Sequence, residues 1–223
     1  MVSKKQSAVK IRKKKWLTLI APKLFNEQPL GETPTYENES VVGRHLIFNL
    51  MNLARDAKKQ AINIRFKVKE VRGEKAFTEL IGYELLPSSV RRLVRREKDK
   101  IEDSFIVLTK DEAKILVKPL LITRNKTVGS ILSRLRKEAK IAYQQAAKRL
   151  VMQEFLSNVV SGSLQKSVRD RISKIYPVRV SELKTLRVLG NPSASEQKSL
   201  EQEASQPTQA APAVEQEQKV VNA

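Results

Sequence analysis

Between residues 61 and 69 hydrophobic and polar side chains alternate. Ile62, Ile64, Phe66 and Val68 share one face; Asn63, Arg65, Lys67 and Lys69 share the other. A period of two predicts a strand with one buried face. Turn residues Arg72, Gly73 and Glu74 follow, and a second alternation puts Phe77, Ile81, Tyr83 and Leu85 on one face. The two segments predict a β-hairpin. A second hairpin is predicted from Phe105 to Thr109, a turn at Lys110, Asp111 and Glu112, and a strand from Ala113 to Thr123. Pro119 has no N–H for a ladder, so that strand must be an edge or carry a bulge there. Residues 41–50 predict a further strand running into a short helix near Asn52–Lys59.

Elsewhere the period changes to that of a helix. Ser88, after Pro87, is placed to N-cap a short helix reaching about Lys98. The clearest helix spans about 127–151, where Val128, Ile131, Leu132, Leu135, Ala139, Ala142, Tyr143, Ala146 and Leu150 make one stripe. Another runs from about Ser163 to Tyr176, with Leu164, Val168, Ile172 and Ile175 inward, and Pro177 stops it before a final extended segment, 178–189. Residues 16–40, punctuated by Pro22, Pro29, Gly31 and Pro34, read as extended and irregular. Strands and helices in this mixture define an α+β domain over 16–190.

Charge changes the picture more than composition does. Forty-three Lys and Arg oppose 24 Asp and Glu, a net charge of +19. Residues 1–15 hold seven bases and no acid, and are expected to form a basic arm that is disordered when free. Residues 191–223 hold five acids, two bases and six Gln with no aromatic residue, and are expected to form a disordered acidic tail. With both ends set aside, the domain retains +15. Such a field opposes folding unless a polyanion neutralises it.

The cations are clustered. On the long helix Arg134, Arg136, Lys137, Lys140, Lys148 and Arg149 stand opposite the apolar stripe, relieved by Glu138 alone, and Arg124 and Lys126 precede it. A solvated helix face usually mixes signs, because like charges at helical spacing repel; a one-sign face suits phosphate, though it also serves solubility. Arg91, Arg92, Arg95 and Arg96 make a second cluster, followed by Glu97, Asp99, Glu102 and Asp103, which could pair with it. Guanidinium forks suit phosphate oxygens and unpaired bases. A third, less specific patch is Arg65, Lys67 and Lys69. The arm ends in Lys13, Lys14, Lys15 and the sole tryptophan, Trp16, which could stack on a base but is expected to pack in the core.

Chemistry of other kinds is thin. The single histidine, His45, lies in an apolar run and reads as a core residue. There is no cysteine, no glycine-rich phosphate loop, no HExxH, no GxSxG and no carboxylate cluster, so no catalytic residue, metal, cofactor or small-molecule substrate is expected. The dispersed acids sit beside bases, as Glu70 does near Arg72 and Glu138 near Lys140. No apolar run is long enough to span a bilayer, and the alanine-rich stripe of the long helix suits packing better than lipid insertion. The expected setting is cytoplasmic. An RNA-processing or RNA-chaperone protein acting on structured RNA stands as the alternative to a structural RNA binder.

Several stretches resemble a known family. Lys15-Trp16, Ala21-Pro22-Lys23-Leu24-Phe25-Asn26, Val42-Gly43-Arg44, Thr123-Arg124-Asn125-Lys126 and Ile175-Tyr176-Pro177 occur in the order seen in the small-subunit ribosomal proteins called S-three-a in eukaryotes and S-one-e in the unified naming. The resemblance spans about residues 12–190, and the short arm without cysteine is similar to archaeal members. It implies a β-barrel-like core with packed helices, contacts with small-subunit rRNA and neighbouring ribosomal proteins, and a place on the platform near the messenger exit, where messenger RNA is a further partner. Among the cations only Arg124, Lys126 and the Lys14-Lys15-Trp16 segment fall in the matching motifs; Lys13 and the cations of the two clusters rest on charge alone.

Overall fold

The computed structural model describes residues 13–190. The expectations for the arm before Lys13 and for the tail after Gly190 lie outside the described residues. The order of elements is β1 (Lys15–Ile20), β2 (Pro29–Thr35), β3 (His45–Asn49), α1 (Leu50–Ala54), β4 (Ile62–Arg72), β5 (Lys75–Leu85), α2 (Pro87–Leu93), β6 (Lys100–Glu102), β7 (Phe105–Leu108), β8 (Lys114–Thr123), α3 (Gly129–Arg149), α4 (Met152–Ser161), α5 (Ser163–Ile172) and β9 (Val178–Gly190), with single 3-10 turns at Lys23–Phe25, Asn38–Val41 and Ala57–Lys59.

The fold is α+β, built on a mixed sheet of nine strands that branches instead of closing into a barrel. β5 pairs along its length with β4. It also pairs with β1, in parallel, at Lys75–Phe77, and with β9 at Gly82–Glu84. β8 pairs with β9, and also with β7 at Lys114–Val117 and β6 at Leu120–Ile122. Where β5 is gripped by β4 and β9 together, it carries Gly82: a Cβ there would stand 3.3 Å from the Leu186 carbonyl oxygen.

Ile64, Phe66 and Val68 are fully buried, as their alternation predicts. In β5 the phase is different. Ala76, Thr78 and Leu80 point inward with Tyr83 and Leu85, while Phe77 and Ile81 do not. The pairing jumps from Arg65–Gly82 to Phe66–Leu80, so Ile81 is a bulged residue, and one extra residue moves every later side chain to the other face. Pro119 meets its expectation by a bulge: the register with β9 slips between Lys118 and Pro119.

Residues 16–40 are more regular than predicted, since β1 and β2 form an antiparallel pair. β2 tolerates Pro29 and Pro34 because it lies at the sheet edge, where a missing N–H leaves no ladder bond unmade. α2 begins at Pro87, not after a Ser88 cap, since proline at the first helical position loses no bond, and it ends at Leu93. α4 was not anticipated; it follows α3 directly and buries Phe155, Leu156 and Val159.

The main core lies between one side of the sheet and α3, α4 and α5, and contains Leu17, Phe66, Val117, Leu135, Tyr143, Phe155 and Ile172. Phe25 meets Phe66 edge-on at 5.7 Å. On the opposite side of β8 a small second core of Leu85, Leu120 and Ile122 is covered by Val90, Leu93 and Val94 in and after α2.

Candidate nucleic-acid interface

The cations meet where β8 ends and β9 begins. Thr123 and Asp99 fasten the two chain segments there: Thr123 N–H donates to the Asp99 carbonyl oxygen at 3.1 Å, and Asp99 N–H donates to Thr123 Oγ1 at 3.0 Å. Arg124 N–H donates to the Pro177 carbonyl oxygen at 3.0 Å, which draws the start of β9 to the same corner. The Asp99 carboxylate then accepts from Thr127 N–H at 2.6 Å and fixes the approach to α3. Around this joint stand Arg95, Lys98, Arg124 and Arg179. Partial desolvation and the charges of Arg179, Arg95 and Arg124 hold the Lys98 pKa below its ordinary value, against the opposing pull of Glu97. Crowded cations of this kind repel one another, and an anion seated among them relieves the repulsion.

α3 continues the positive surface from the corner. Its first turn has no acid and its N-cap residue, Val128, offers no side-chain cap, so the electropositive helix start adds to the field of Arg124 and Lys126. Leu135, Ala139, Ala142, Tyr143 and Ala147 are buried, and Arg134, Arg136, Lys137, Lys148 and Arg149 are exposed, with Lys140 half-buried. Glu138, the only acid of the helix, is taken by Arg171 of α5, not by Lys140, and Arg171 reaches on to Gln145 Oε1 at 2.6 Å. The outward face is therefore left without a negative charge of its own.

The structure divides the basic residues into paired and unpaired. Arg65 pairs with Glu84 at 2.7 Å, Arg72 with Glu70 at 2.8 Å, and Lys100 and Lys184 both with Glu102. The third patch thus loses Arg65 and keeps Lys67 and Lys69. Among the described residues Arg91, Arg92, Arg95, Arg96, Arg124, Lys126 and the α3 cations form no ion pair. The acids after Arg96 do not neutralise the arginines: Asp99 and Glu102 are bound elsewhere. Nor do these arginines form one helical array, because Arg91 and Arg92 lie on α2 and Arg95 and Arg96 follow its end.

Two residues depart from their expected places. Trp16 is 63% exposed, because the alternation of β1 turns Leu17 and Leu19 inward and Trp16 outward. Lys13, Lys14 and Lys15 are exposed beside it. His45 is exposed on edge strand β3, with Ile47 beside it on the same face. Lys98 and Arg179 were missed: the Asp99–Thr123 bonds ahead of the β6–β8 pairing bring Lys98 to Arg124, and the β8–β9 pairing brings Arg179 there.

No group of three His, Cys, Asp or Glu that could hold a metal occurs among the described residues. Strongly shifted groups are internal: burial, then Glu182, raises the pKa of both Tyr83 and Tyr143, and burial raises Glu182. A groove of about 490 Å³ between Leu24, Asn26, Arg55 and Ser161 has no carboxylate in its wall. No described helix is long and apolar enough to cross a membrane.

The scaffold is α+β, pairs Glu70, Glu84, Glu102 and Glu138 with cations, and leaves other cations without an ion pair at one corner and along one helix. The sequence profile of the Ribosomal S3Ae family matches residues 2–192, and the chain belongs to that family. It is 33% identical over 183 residues to the small ribosomal subunit protein eS1 of Saccharolobus islandicus strain L.S.2.15, covering 82% of this chain and 88% of that protein. The eS1 of Saccharolobus solfataricus is similar to the same extent. That of Haloarcula marismortui is 30% identical over 191 residues, covering 86% of this chain and 90% of the relative. The archaeal type, expected from the short arm and the lack of cysteine, agrees with these relatives.

Proposed function

We propose that this chain is a structural constituent of the small ribosomal subunit, binding small-subunit rRNA and neighbouring ribosomal proteins and shaping the platform near the messenger exit. The carrying observation is the unpaired corner of Arg95, Lys98, Arg124 and Arg179, continued along α3 where Glu138 is withdrawn by Arg171. Lys and Arg at such a surface release counterions from RNA, which gives affinity that falls steeply with salt and reads no base directly. The rigid joint at Thr123 and Asp99 fixes where the charges stand, so the shape of the RNA supplies specificity. The role requires no catalytic group, and its setting is cytoplasmic and ribosome-associated.

The test is a salt titration of binding to small-subunit rRNA. Neutralising Arg134, Arg136, Lys137 and Lys140 to Gln should weaken binding and flatten the slope of log affinity against log salt by about one unit for each phosphate left without its cation. The same variant should fail to enter small subunits. An unchanged slope and normal incorporation of a folded variant would reject the α3 interface.

A further inference from the structure

The exposed start of β1 is a different kind of surface from the cationic corner. Lys14 and Trp16 lie on the same side of the strand, two residues apart. Trp16 faces Pro34 across the ladder, and Tyr36 follows Pro34 by two on the same side. Lys14 Nζ stands 5.5 Å from the centre of the Tyr36 ring, held by the negative face of the ring. Tyr36 is itself 53% exposed. The backbone behind this face is braced: Arg44 donates to the Pro34 carbonyl oxygen at 3.3 Å and to Thr33 Oγ1 at 2.9 Å. Thr35 Oγ1 donates to the Glu37 carbonyl oxygen at 2.6 Å.

We propose that Trp16 and Lys14, backed by Tyr36, form a site for one unpaired RNA nucleotide, the base stacked on the indole and its phosphate beside the Lys14 ammonium. The inference rests on the reading that the chain binds RNA and names the part of RNA this face takes. Bases in a duplex have their faces covered by their neighbours, so a solitary exposed indole can be used only by a base that is splayed out. The surroundings favour a nucleotide over an apolar protein segment. Lys13, Lys14 and Lys15 are consecutive, and the neighbours of Trp16 on its face are Lys14, Thr18, Pro34 and Glu32, which offer no continuous apolar patch. Tyr36 acts here as a positioning residue, since its ring is occupied by Lys14.

Trp16 is the only tryptophan in the chain, so its emission reports this site alone. The full chain should be titrated with a single-stranded oligoadenylate and, separately, with an RNA duplex of equal charge. Quenching is expected with the first and not with the second. By anisotropy of labelled RNA, Trp16→Ala should lower affinity for the oligoadenylate roughly tenfold, with Trp16→Phe recovering part of the loss. Tyr36→Phe keeps the ring and should behave as wild type, whereas Tyr36→Leu should weaken oligoadenylate binding; duplex affinity should stay constant throughout. Equal quenching by duplex, or Trp16→Ala binding both RNAs like wild type, would overturn the stacking site and leave RNA binding standing. Failure of the wild-type chain to bind either RNA would remove the parent reading, and this one with it.

Discussion

Glu182 shows what one side chain contributes. On β9 it stands opposite Leu120, on the face that Leu120, Ile122 and Val180 make apolar, and burial raises its pKa. The folded state therefore holds the proton more tightly than the unfolded chain does. Stability from this group is full below the ordinary glutamate range and is lost as pH rises through the raised folded value. Glu182→Gln should remove that loss, melting higher than wild type at pH 7 by about 2–4 °C, the size of a 1 kcal/mol effect in a domain of this length. Thermal melts at pH 7 and near pH 4 check the sign: the advantage should vanish at the lower pH, and a gap equal at both would count against it. Neither this residue nor the exposure of Trp16 and His45 was readable from the sequence. An aromatic residue in an apolar run gives no sign of which side of a strand it will occupy, since that depends on register.

Among elements, the joint at Asp99 separates arrangement from charge. Its carboxylate accepts from Thr127 N–H ahead of α3, as a capping side chain would. Asp99→Ala should cost about 1 kcal/mol of stability, within the range of lost caps. It also makes the corner more positive. If charge alone governed RNA affinity the variant would bind tighter; because the loops carrying Arg124 and Lys126 lose their anchor, affinity should fall. Filter binding at fixed salt decides between the two. The hairpins, the long helix and the closing strand were legible because their periods are sustained over many residues. Phe77 and Ile81 were misplaced because a bulge leaves no mark on composition. β2 was hidden by prolines that only an edge strand accommodates, and α4 by its position directly after α3.

For the whole molecule the governing quantity is the +15 on residues 16–190. Self-repulsion of that size should make the isolated protein melt higher as sodium chloride rises from about 0.05 to 0.5 M, where the screening length shrinks several-fold. A polyanion should raise the melting temperature further at low salt; a flat response in differential scanning fluorimetry would show that the charges are already balanced within the fold. Net charge and the α3 face could be read from sequence alone. The corner could not, because Arg95, Lys98, Arg124 and Arg179 come from segments that touch only through the sheet.

The hydrogen bond from Arg124 to Pro177 has a consequence in time. A ribosome makes Arg124 some fifty residues before it makes the acceptor and Arg179 beyond it. A nascent chain that has released α3 therefore displays one positive ridge but lacks the assembled corner, which comes into being when the last strand zips onto β8. On the proposed reading, recognition at that corner is acquired only once the last strand is made, so a half-made chain would not occupy the place of a finished one.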